Sequence, residues 1–432
     1  MRFPPPFLLA VLFTIGQDHL QPPRPRLHNP VDYVAWINGT YGGSIKVNAA
    51  DKYRAAFDAY VAPSMEASEQ EWAQGLQRSD EGGPSNAAAW ILANKRSLQL
   101  FREATEIRDC FFPRRHPESG QLSDVLFPDL AHEVIMTRLL YEKARGQLDS
   151  GDVDGAVEDL ILVMRAARHL DALPSMFEWI ASRTSVVVVY KTLIEWLAVG
   201  DRPLNYEATL RKLMHEDMSF LVPRRRILMN KIKIMSWDVF QHMRIVDGEE
   251  KLFQTQSDLN IAVAELDRLA EPYFDLFTEE YAKARVLSEE LDSRLTLDSI
   301  KDRVTRAHAT PHALAIWTFV DRYGNVLDWV WKYAVVHREA MTARNAAYAL
   351  LAINAHKAKH GHWPNSLAAA MPGVLAAYKE DPFSGKDLVY RPDEGKPVLY
   401  SVGLDGKDDG GKLTPKSWSE TGDEVFLPGL KH

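Results

Sequence analysis

LAHEVIMTRLLYEKARGQLDSGDVDGAVEDLILVMRAARHL, residues 130–170, is the stretch that decides the fold class of this chain. Apolar residues recur at helical spacing on either side of a Ser-Gly-Asp break, which predicts helices over 130–149 and 153–170. The small and turn-forming positions of a tetratricopeptide hairpin are occupied by Ala144, Gly151, Asp152, Ala156 and Leu160. Small residues at these positions allow antiparallel helices to approach closely. The pattern does not recur at a constant period, so we expect a helical bundle or an irregular helical-hairpin solenoid.

The same periodicity extends over most of the chain before residue 340. It predicts further helices over 49–60, 87–108, 206–215, 227–246, 257–287 and 313–336. Pro272 is expected to kink or end the helix over 257–287, because proline lacks an amide hydrogen and clashes with the preceding turn. The stretch 185–199 is apolar, but Lys191 and Glu195 would be costly in lipid, so it is predicted to be a buried helix. The body, residues 31–339, is therefore predicted to be almost wholly helical.

Composition and charge exclude several classes of protein. The chain has 432 residues, a net charge of −8 and a pI near 6.0. Such a chain is long enough to bury a core, and it lacks the basic surface that non-specific nucleic-acid binding needs. Cys110 is the only cysteine, so no intramolecular disulfide can form, and a buried structural role is expected for it.

The N-terminus has the character of an export signal. Met1 and Arg2 precede an apolar stretch over 7–15 that is too short to span a bilayer. We expect residues 1–16 to be a cleaved signal peptide and residues 17–30 to be a proline-rich linker. The mature protein would then be periplasmic or extracellular, with no transmembrane anchor.

From residue 340 the sequence changes character. A helix is predicted over ARNAAYALLAINAH, residues 343–356, with Gly361 at its end and an apolar stripe at Ala346, Leu350 and Ile353 that can lie across a small sheet. The motifs that follow are HGHWPNSL at 360–367, DPFSGK at 381–386, LVYR at 388–391 and LYSVGLDG at 399–406. Strands are predicted over 388–391 and 398–402, joined by a turn at 393–395.

This order of motifs resembles the globular domain of the major pseudopilin of type II secretion. The resemblance covers about the last fifth of the chain and implies that residues 340–432 form a small α+β module. A true pseudopilin begins with a leader and a long apolar assembly helix, whereas here the matching residues follow the helical body, so we interpret the module as borrowed. The whole chain is also similar, less specifically, to uncharacterised exported helical proteins of planctomycete-type bacteria, a likeness that brings no known activity.

An acidic, glycine-rich stretch is the strongest candidate for a metal site. DGKDDGG spans 405–411, and Gly422 precedes a further aspartate. Hard cations such as Ca²⁺ bind several oxygen atoms on a flexible loop. The candidate ligands are Asp405, Asp408, Asp409 and Asp423. In the pseudopilins that this region resembles, a corresponding loop holds structural calcium, which favours Asp405 and Asp423 in particular. The alternative is a solvated acidic turn.

Other histidine groups give weaker signals. His356, His360 and His362 could share a transition metal, although a solvated helix end is the commoner structure for such a group. His132 and Glu133 lack the second histidine of a zinc-protease helix.

Two classes of function remain open. The first is an exported, non-enzymatic protein whose helical body binds another protein in the cell envelope or outside the cell, with the C-terminal module as a stabilising or docking element. The second is a hydrolase whose active site is assembled from dispersed residues of the body, such as Glu133 and His132. No complete catalytic motif is present, so no catalytic residue is assigned. A deep pocket with convergent, perturbed groups would favour the enzyme, and a broad groove would favour binding.

Overall fold

A computed structural model describes residues 33–62, 87–115, 129–198, 204–216, 218–234, 256–294, 328–392, 397–411 and 422–427. These residues are mainly helical, with strands near the C-terminus, as the sequence predicts; the strands form two small sheets, whereas the sequence predicts one. The predicted signal peptide (1–16) and linker (17–30) lie outside the described residues. So do the predicted turn at 393–395 and much of the predicted helices over 227–246 and 313–336.

Four short helices open the described chain: α1 Tyr33–Ile37, α2 Ala50–Asp58, α3 Ala87–Ala93 and α4 Lys95–Thr105. The sequence predicts one helix over 87–108, but Asn94 divides it. The Asn94 side chain accepts a hydrogen bond from the Val61 amide at 2.8 Å and donates one to the Val61 carbonyl at 2.9 Å. The backbone of Asn94 departs from helical geometry, with a φ of −101° and a ψ of 16°, while it keeps hydrogen bonds to Trp90 and Leu98.

The long hairpin confirms the prediction from residues 130–170. Helix α5 is Leu130–Ser150, and α6 is Val153–Ala172. Gly151 ends α5 with a φ of 86°, a conformation that suits glycine. The Asp152 side chain begins α6 by accepting a hydrogen bond from the Gly155 amide at 3.1 Å. Ala144 and Ala156 are fully buried where the two helices pack together.

Two long helices form the centre of the molecule. Helix α7, Met176–Ala198, contains the stretch predicted to be a buried helix, and its side chains are buried on nearly every side. A long helix, Asp328–His360, packs along it. That helix runs without interruption through the predicted domain boundary at residue 340. The stripe of Ala346, Leu350 and Ile353 is buried, but the intervening residues 347–352 are buried too, because the helix packs on α7 as well as toward the strands.

Shorter helices lie between these two. They are α8 Tyr206–His215, α9 over 225–234, α10 Gln256–Ala270, α11 Asp275–Thr278 and α12 Tyr281–Arg294, and the long helix Asp328–His360 is α13. The prediction that Pro272 ends a helix is confirmed. Helix α10 ends at Ala270, and the proline lies in the 3₁₀ turn Glu271–Phe274 that follows. Proline fits there because the first turn of a helix leaves its amides unpaired.

The C-terminal residues form a short helix and two antiparallel sheets. Gly361 ends α13 with a φ of 77°, as predicted, and α14 is Leu367–Ala370. Strand β1, Glu380–Asp381, pairs with β2, Lys386–Asp387. Strands β3, Val389–Arg391, and β4, Val398–Ser401, form the predicted pair, and β5, Glu424–Leu427, adds to β4. Strands β1, β2 and β5 are not predicted from the sequence.

Buried Asp381 joins the two sheets. Its carboxylate accepts hydrogen bonds from the Ser401 hydroxyl at 2.8 Å and from the amides of Phe383 and Val402 at 3.1 Å. A buried carboxylate with several donors is well compensated, so Asp381 has a structural role.

Candidate functional site

The four aspartates of the predicted calcium site do not lie in one group. Asp408 Oδ1 accepts hydrogen bonds from the Tyr400 hydroxyl at 2.7 Å and the Gly410 amide at 2.9 Å. Asp423 is buried: its Oδ2 accepts from the Gly411 amide at 2.7 Å, and its Oδ1 has no hydrogen-bond partner among the described residues. Burial and the nearby charges of Asp408 and Asp409 raise the pKa of Asp423, against the backbone amides of Gly411 and Asp409, which lower it. These three aspartates are therefore neighbours.

Asp405 is directed elsewhere. Its Oδ1 accepts a hydrogen bond from the Lys407 amide at 2.9 Å. The pKa of Tyr281 on α12 is raised, mainly by burial and in part by the charge of Asp405. The Tyr281 hydroxyl donates to the Leu404 carbonyl at 2.6 Å. Asp405 thus lies at the contact with the helical body. Within the described ranges, no three His, Cys, Asp or Glu side chains have an arrangement that would hold a metal ion.

A buried charge cluster connects the C-terminal sheet to the body. Lys191 on α7 pairs with Glu424 on β5 at 2.7 Å, and Glu339 on α13 lies beside them. Burial lowers the pKa of Lys191. The charges of Glu424 and Glu339 have the larger combined effect, so the pKa of Lys191 is raised overall. Burial raises the pKa of Glu339 to about 8, against the attraction of Lys191. At neutral pH, Glu339 is therefore mostly protonated, and the pair carries one positive and one negative charge.

Glu133 and His132, the candidates for a hydrolase, lie on different sides of α5. Glu133 is buried, and neither of its carboxyl oxygens has a hydrogen-bond partner. Burial, with Asp129 and Glu178 as further causes, raises its pKa well above the usual range. His132 is exposed and stacks on Phe57 with 5.2 Å between ring centroids. The two side chains do not form one site.

Cys110 is buried, as predicted, and burial raises the pKa of its thiol well above the usual range. A thiol held in this protonated form is a poor nucleophile. Next to this region, Tyr53 and His169 form a buried pair with 2.9 Å between the hydroxyl oxygen and Nδ1. Burial lowers the pKa of His169 to about 4, so the imidazole is neutral.

A further set of buried charges was not predicted. Arg114 pairs with Glu178 at 2.5 Å, and Arg183 pairs with Asp171 at 2.8 Å, with all four side chains largely inaccessible. Lys231 is fully buried and donates to the Leu173 carbonyl, and burial lowers its pKa to about 8. The sequence does not distinguish these residues from exposed charges, since Arg114 is next to Arg115 and Lys231 is two residues from Lys233. Only the packing of the folded chain identifies the buried partner of each.

The three histidines at the end of α13 are close together. Their ring centroids are 4.5 Å apart for His356 and His360, 5.4 Å for His356 and His362, and 6.2 Å for His360 and His362. His356 Nδ1 lies 3.3 Å from the His362 carbonyl, and His362 Nδ1 lies 2.9 Å from the Trp363 carbonyl. His360 and His362 are exposed, which fits a solvated helix end.

A cleft of about 380 Å³ opens where three helices meet. It lies between the end of α4 and the residues after it, one face of α6, and the end of α8. The lining residues are Thr105, Glu106, Arg108, Arg165, Arg168, His215 and Glu216. Three arginines in one cleft are notable in a chain whose net charge is −8. This cleft was not predicted, because its residues come from three separate stretches of the sequence.

Comparisons with known proteins assign no family to this chain. No protein-family model matches it, and neither a curated protein nor a solved structure does. None of the helices formed by the described residues has the length and apolar character needed to cross a lipid bilayer. Function must therefore be argued from the geometry above.

Proposed function

We propose that this chain is an exported, non-enzymatic binding protein, with a helical body that binds another protein in the cell envelope or outside the cell. Its C-terminal residues form a pseudopilin-like module that Ca²⁺ stabilises. The observation that supports the calcium part of this proposal is the carboxylate of Asp423, which is buried beside Asp408 and Asp409 and whose Oδ1 has no hydrogen-bond partner among the described residues. A buried anionic oxygen without a donor is costly, and a divalent cation is the chemistry that relieves it.

Calcium binding would involve a rearrangement of the acidic turn. Asp408 now accepts hydrogen bonds from Tyr400 and Gly410, and its carboxylate would have to turn toward Asp423 to share a cation. Asp408 and Asp409 are exposed, so little packing opposes such a change. Asp405, which contacts the side of the helical body, has less support as a ligand than the other three aspartates.

The contacts of the module support a stabilising role over a docking role. Helix α13 belongs to both the body and the module. Lys191 pairs with Glu424 in a largely buried position, and the Tyr281 hydroxyl donates to the Leu404 carbonyl. A cation that orders the acidic turn would therefore add stability to the whole chain.

The hydrolase alternative has less support. A general acid needs a raised pKa, and Glu133 has one, but it also needs access to a substrate. Glu133 is only 1% exposed, and the histidine beside it in sequence lies on another face of α5.

Thermal unfolding of the full chain in Ca²⁺ and in EGTA tests the calcium proposal. A Ca²⁺ concentration about 100-fold above Kd should stabilise the native protein by about 2.7 kcal/mol. Asp423→Asn should remove this response and, in EGTA, should stabilise the protein slightly, because it removes the unpartnered carboxylate. Asp387→Asn is the matched control, since Asp387 is exposed in the same module and pairs with Lys379. Identical unfolding curves in Ca²⁺ and EGTA would mean that the acidic turn is a solvated loop that does not bind calcium.

A further inference from the structure

Arg168, on α6, is the most unusual charged side chain in the cleft described above. It is half-buried, its Nε is inaccessible to solvent, and it makes no hydrogen bond with any described residue. Other buried guanidinium groups here have at least one acceptor: Arg114 pairs with Glu178 through Nη2, although its Nε is unpartnered among the described residues, and Arg338 donates to the carbonyls of Leu276 and Glu279. Burying donors without acceptors is costly, so the position of Arg168 needs another explanation.

Arg108 and Arg168 face the same cleft. No carboxylate among the described residues lies within ion-pair distance of either group, whereas Arg165, one turn before Arg168, is held by Glu216. That pair is bidentate, with Arg165 Nε at 3.0 Å and Nη2 at 2.7 Å from the two carboxylate oxygens. The cleft therefore contains one neutralised arginine and two that can accept an anion.

The backbone that carries these arginines is held in place from behind. His169, next to Arg168, is neutral, so one ring nitrogen donates and the other accepts. Its Nε2 lies 3.2 Å from the Arg108 carbonyl, which can only accept a hydrogen bond, and its Nδ1 lies 2.9 Å from the Tyr53 hydroxyl, which therefore donates. This chain of hydrogen bonds fixes α6 relative to the segment after α4. The backbone at Arg108 and Arg168 therefore needs no rearrangement when a ligand binds.

The charge of the cleft favours an anion. Arg165 and Glu216 neutralise each other. The other arginines and carboxylates that line the cleft are Arg108 and Arg168, which are positive, and Glu106, which is negative. The planar guanidinium group donates two parallel hydrogen bonds to a pair of oxygens of a carboxylate or phosphate, which no other side chain does as well. The volume of about 380 Å³ lies at the lower end of the range for small-molecule sites, which is roughly 300–1,000 Å³.

We propose that this cleft binds a small ligand through an anionic oxygen group, a phosphate or a carboxylate, which is held between Arg108 and Arg168. The exposed carboxylate of Glu106 then faces a hydroxyl or amine elsewhere on the ligand.

Titration calorimetry of the full chain at constant ionic strength tests this proposal. The probes are inorganic phosphate, glycerol 3-phosphate and succinate. Arg168→Gln and Arg108→Gln each remove a charge-assisted contact of about 1.5–3 kcal/mol, so each should weaken binding by roughly 10- to 100-fold. Arg211→Gln is the matched control, because Arg211 is exposed on α8 and does not line the cleft. It should bind with unchanged affinity.

The probes also separate the two ligand chemistries. Tighter binding of the phosphates assigns a phosphate ligand, and tighter binding of succinate assigns a carboxylate ligand. If Arg168→Gln does not fold, Arg108→Gln decides the outcome, because Arg108 is exposed and its loss disturbs no packing. No saturable binding of any probe at roughly 10 mM, or equal affinity in wild type and Arg108→Gln, would overturn the proposal.

Discussion

Replacing Glu339 with glutamine should change how the stability of this protein depends on pH. Glu339 is buried on α13 beside Lys191, which already pairs with Glu424. One ammonium group cannot compensate two buried carboxylates, and burial raises the pKa of Glu339 to about 8 from a usual value of 4.5. Glutamine keeps the shape of a protonated glutamate and has no proton to lose.

The sign and size of the effect follow from linkage. The folded protein holds a proton on Glu339 up to about pH 8, whereas the unfolded chain releases it near pH 4.5. Stability is therefore complete below pH 4.5 and falls by up to about 1.4 kcal/mol per pH unit as the pH rises toward 8. Between pH 5 and pH 7.5, Glu339→Gln should gain about 3 kcal/mol over wild type.

Urea unfolding followed by circular dichroism at pH 5 and pH 7.5 measures this gain. Only its change with pH matters, because the cost of burying an amide is the same at both values. Glu280→Gln is the matched control: Glu280 is exposed and pairs only with Lys283, so its curves should stay parallel to wild type. Parallel curves for Glu339→Gln as well would mean that Glu339 is ionised in the folded protein, and the account of this cluster would be wrong.

Two further predictions concern stability. Arg114→Met should cost about 3–5 kcal/mol in urea unfolding because it leaves Glu178 buried without its partner, and adding Glu178→Met should recover most of the loss; an equally unstable double variant would contradict this. Gly361→Ala should lower the free energy of unfolding by about 1–2 kcal/mol in thermal unfolding, because the φ of Gly361 is 77°. Gly146→Ala within α5 is the control and should be neutral or stabilising. Equal effects of the two substitutions would contradict the role of backbone conformation.

The helices that the sequence predicts best are those with strong local signals. The hairpin of α5 and α6 has a glycine in the left-handed region and an aspartate cap, and both elements end within about two residues of their predicted bounds. The break at Asn94 could not be predicted, because it depends on pairing with Val61, which is distant in sequence. The boundary at residue 340 was placed by a change of composition, yet α13 continues through it because α7 supplies a partner along its length.

The two candidate sites also differ in how far the sequence predicts them. The acidic turn is visible in sequence because its aspartates are close along the chain, although the sequence does not show that the Asp405 side chain accepts a hydrogen bond from the Lys407 amide, next to the contact between Leu404 and Tyr281. The cleft is invisible in sequence. Arg165 and Arg168 lie on α6 and Arg108 follows α4, and only the folded structure shows that Arg108 and Arg168 have no ion-pair partner among the described residues.

Unpartnered charges differ in how their cost can be relieved, and this difference indicates where a ligand is needed. Glu133 is buried in the core, where burial raises the pKa of its carboxyl group, and a carboxyl group can take up a proton. Asp423 can do the same in part, so its case for a cation depends on Asp408 and Asp409. Arg168 has no such route, because a guanidinium group does not lose its proton in proteins. Arg168 lines a cleft that is open to solvent, so water or an anion can reach the exposed part of its guanidinium group. A bound anion would compensate its charge as well as its hydrogen bonds, which water cannot do.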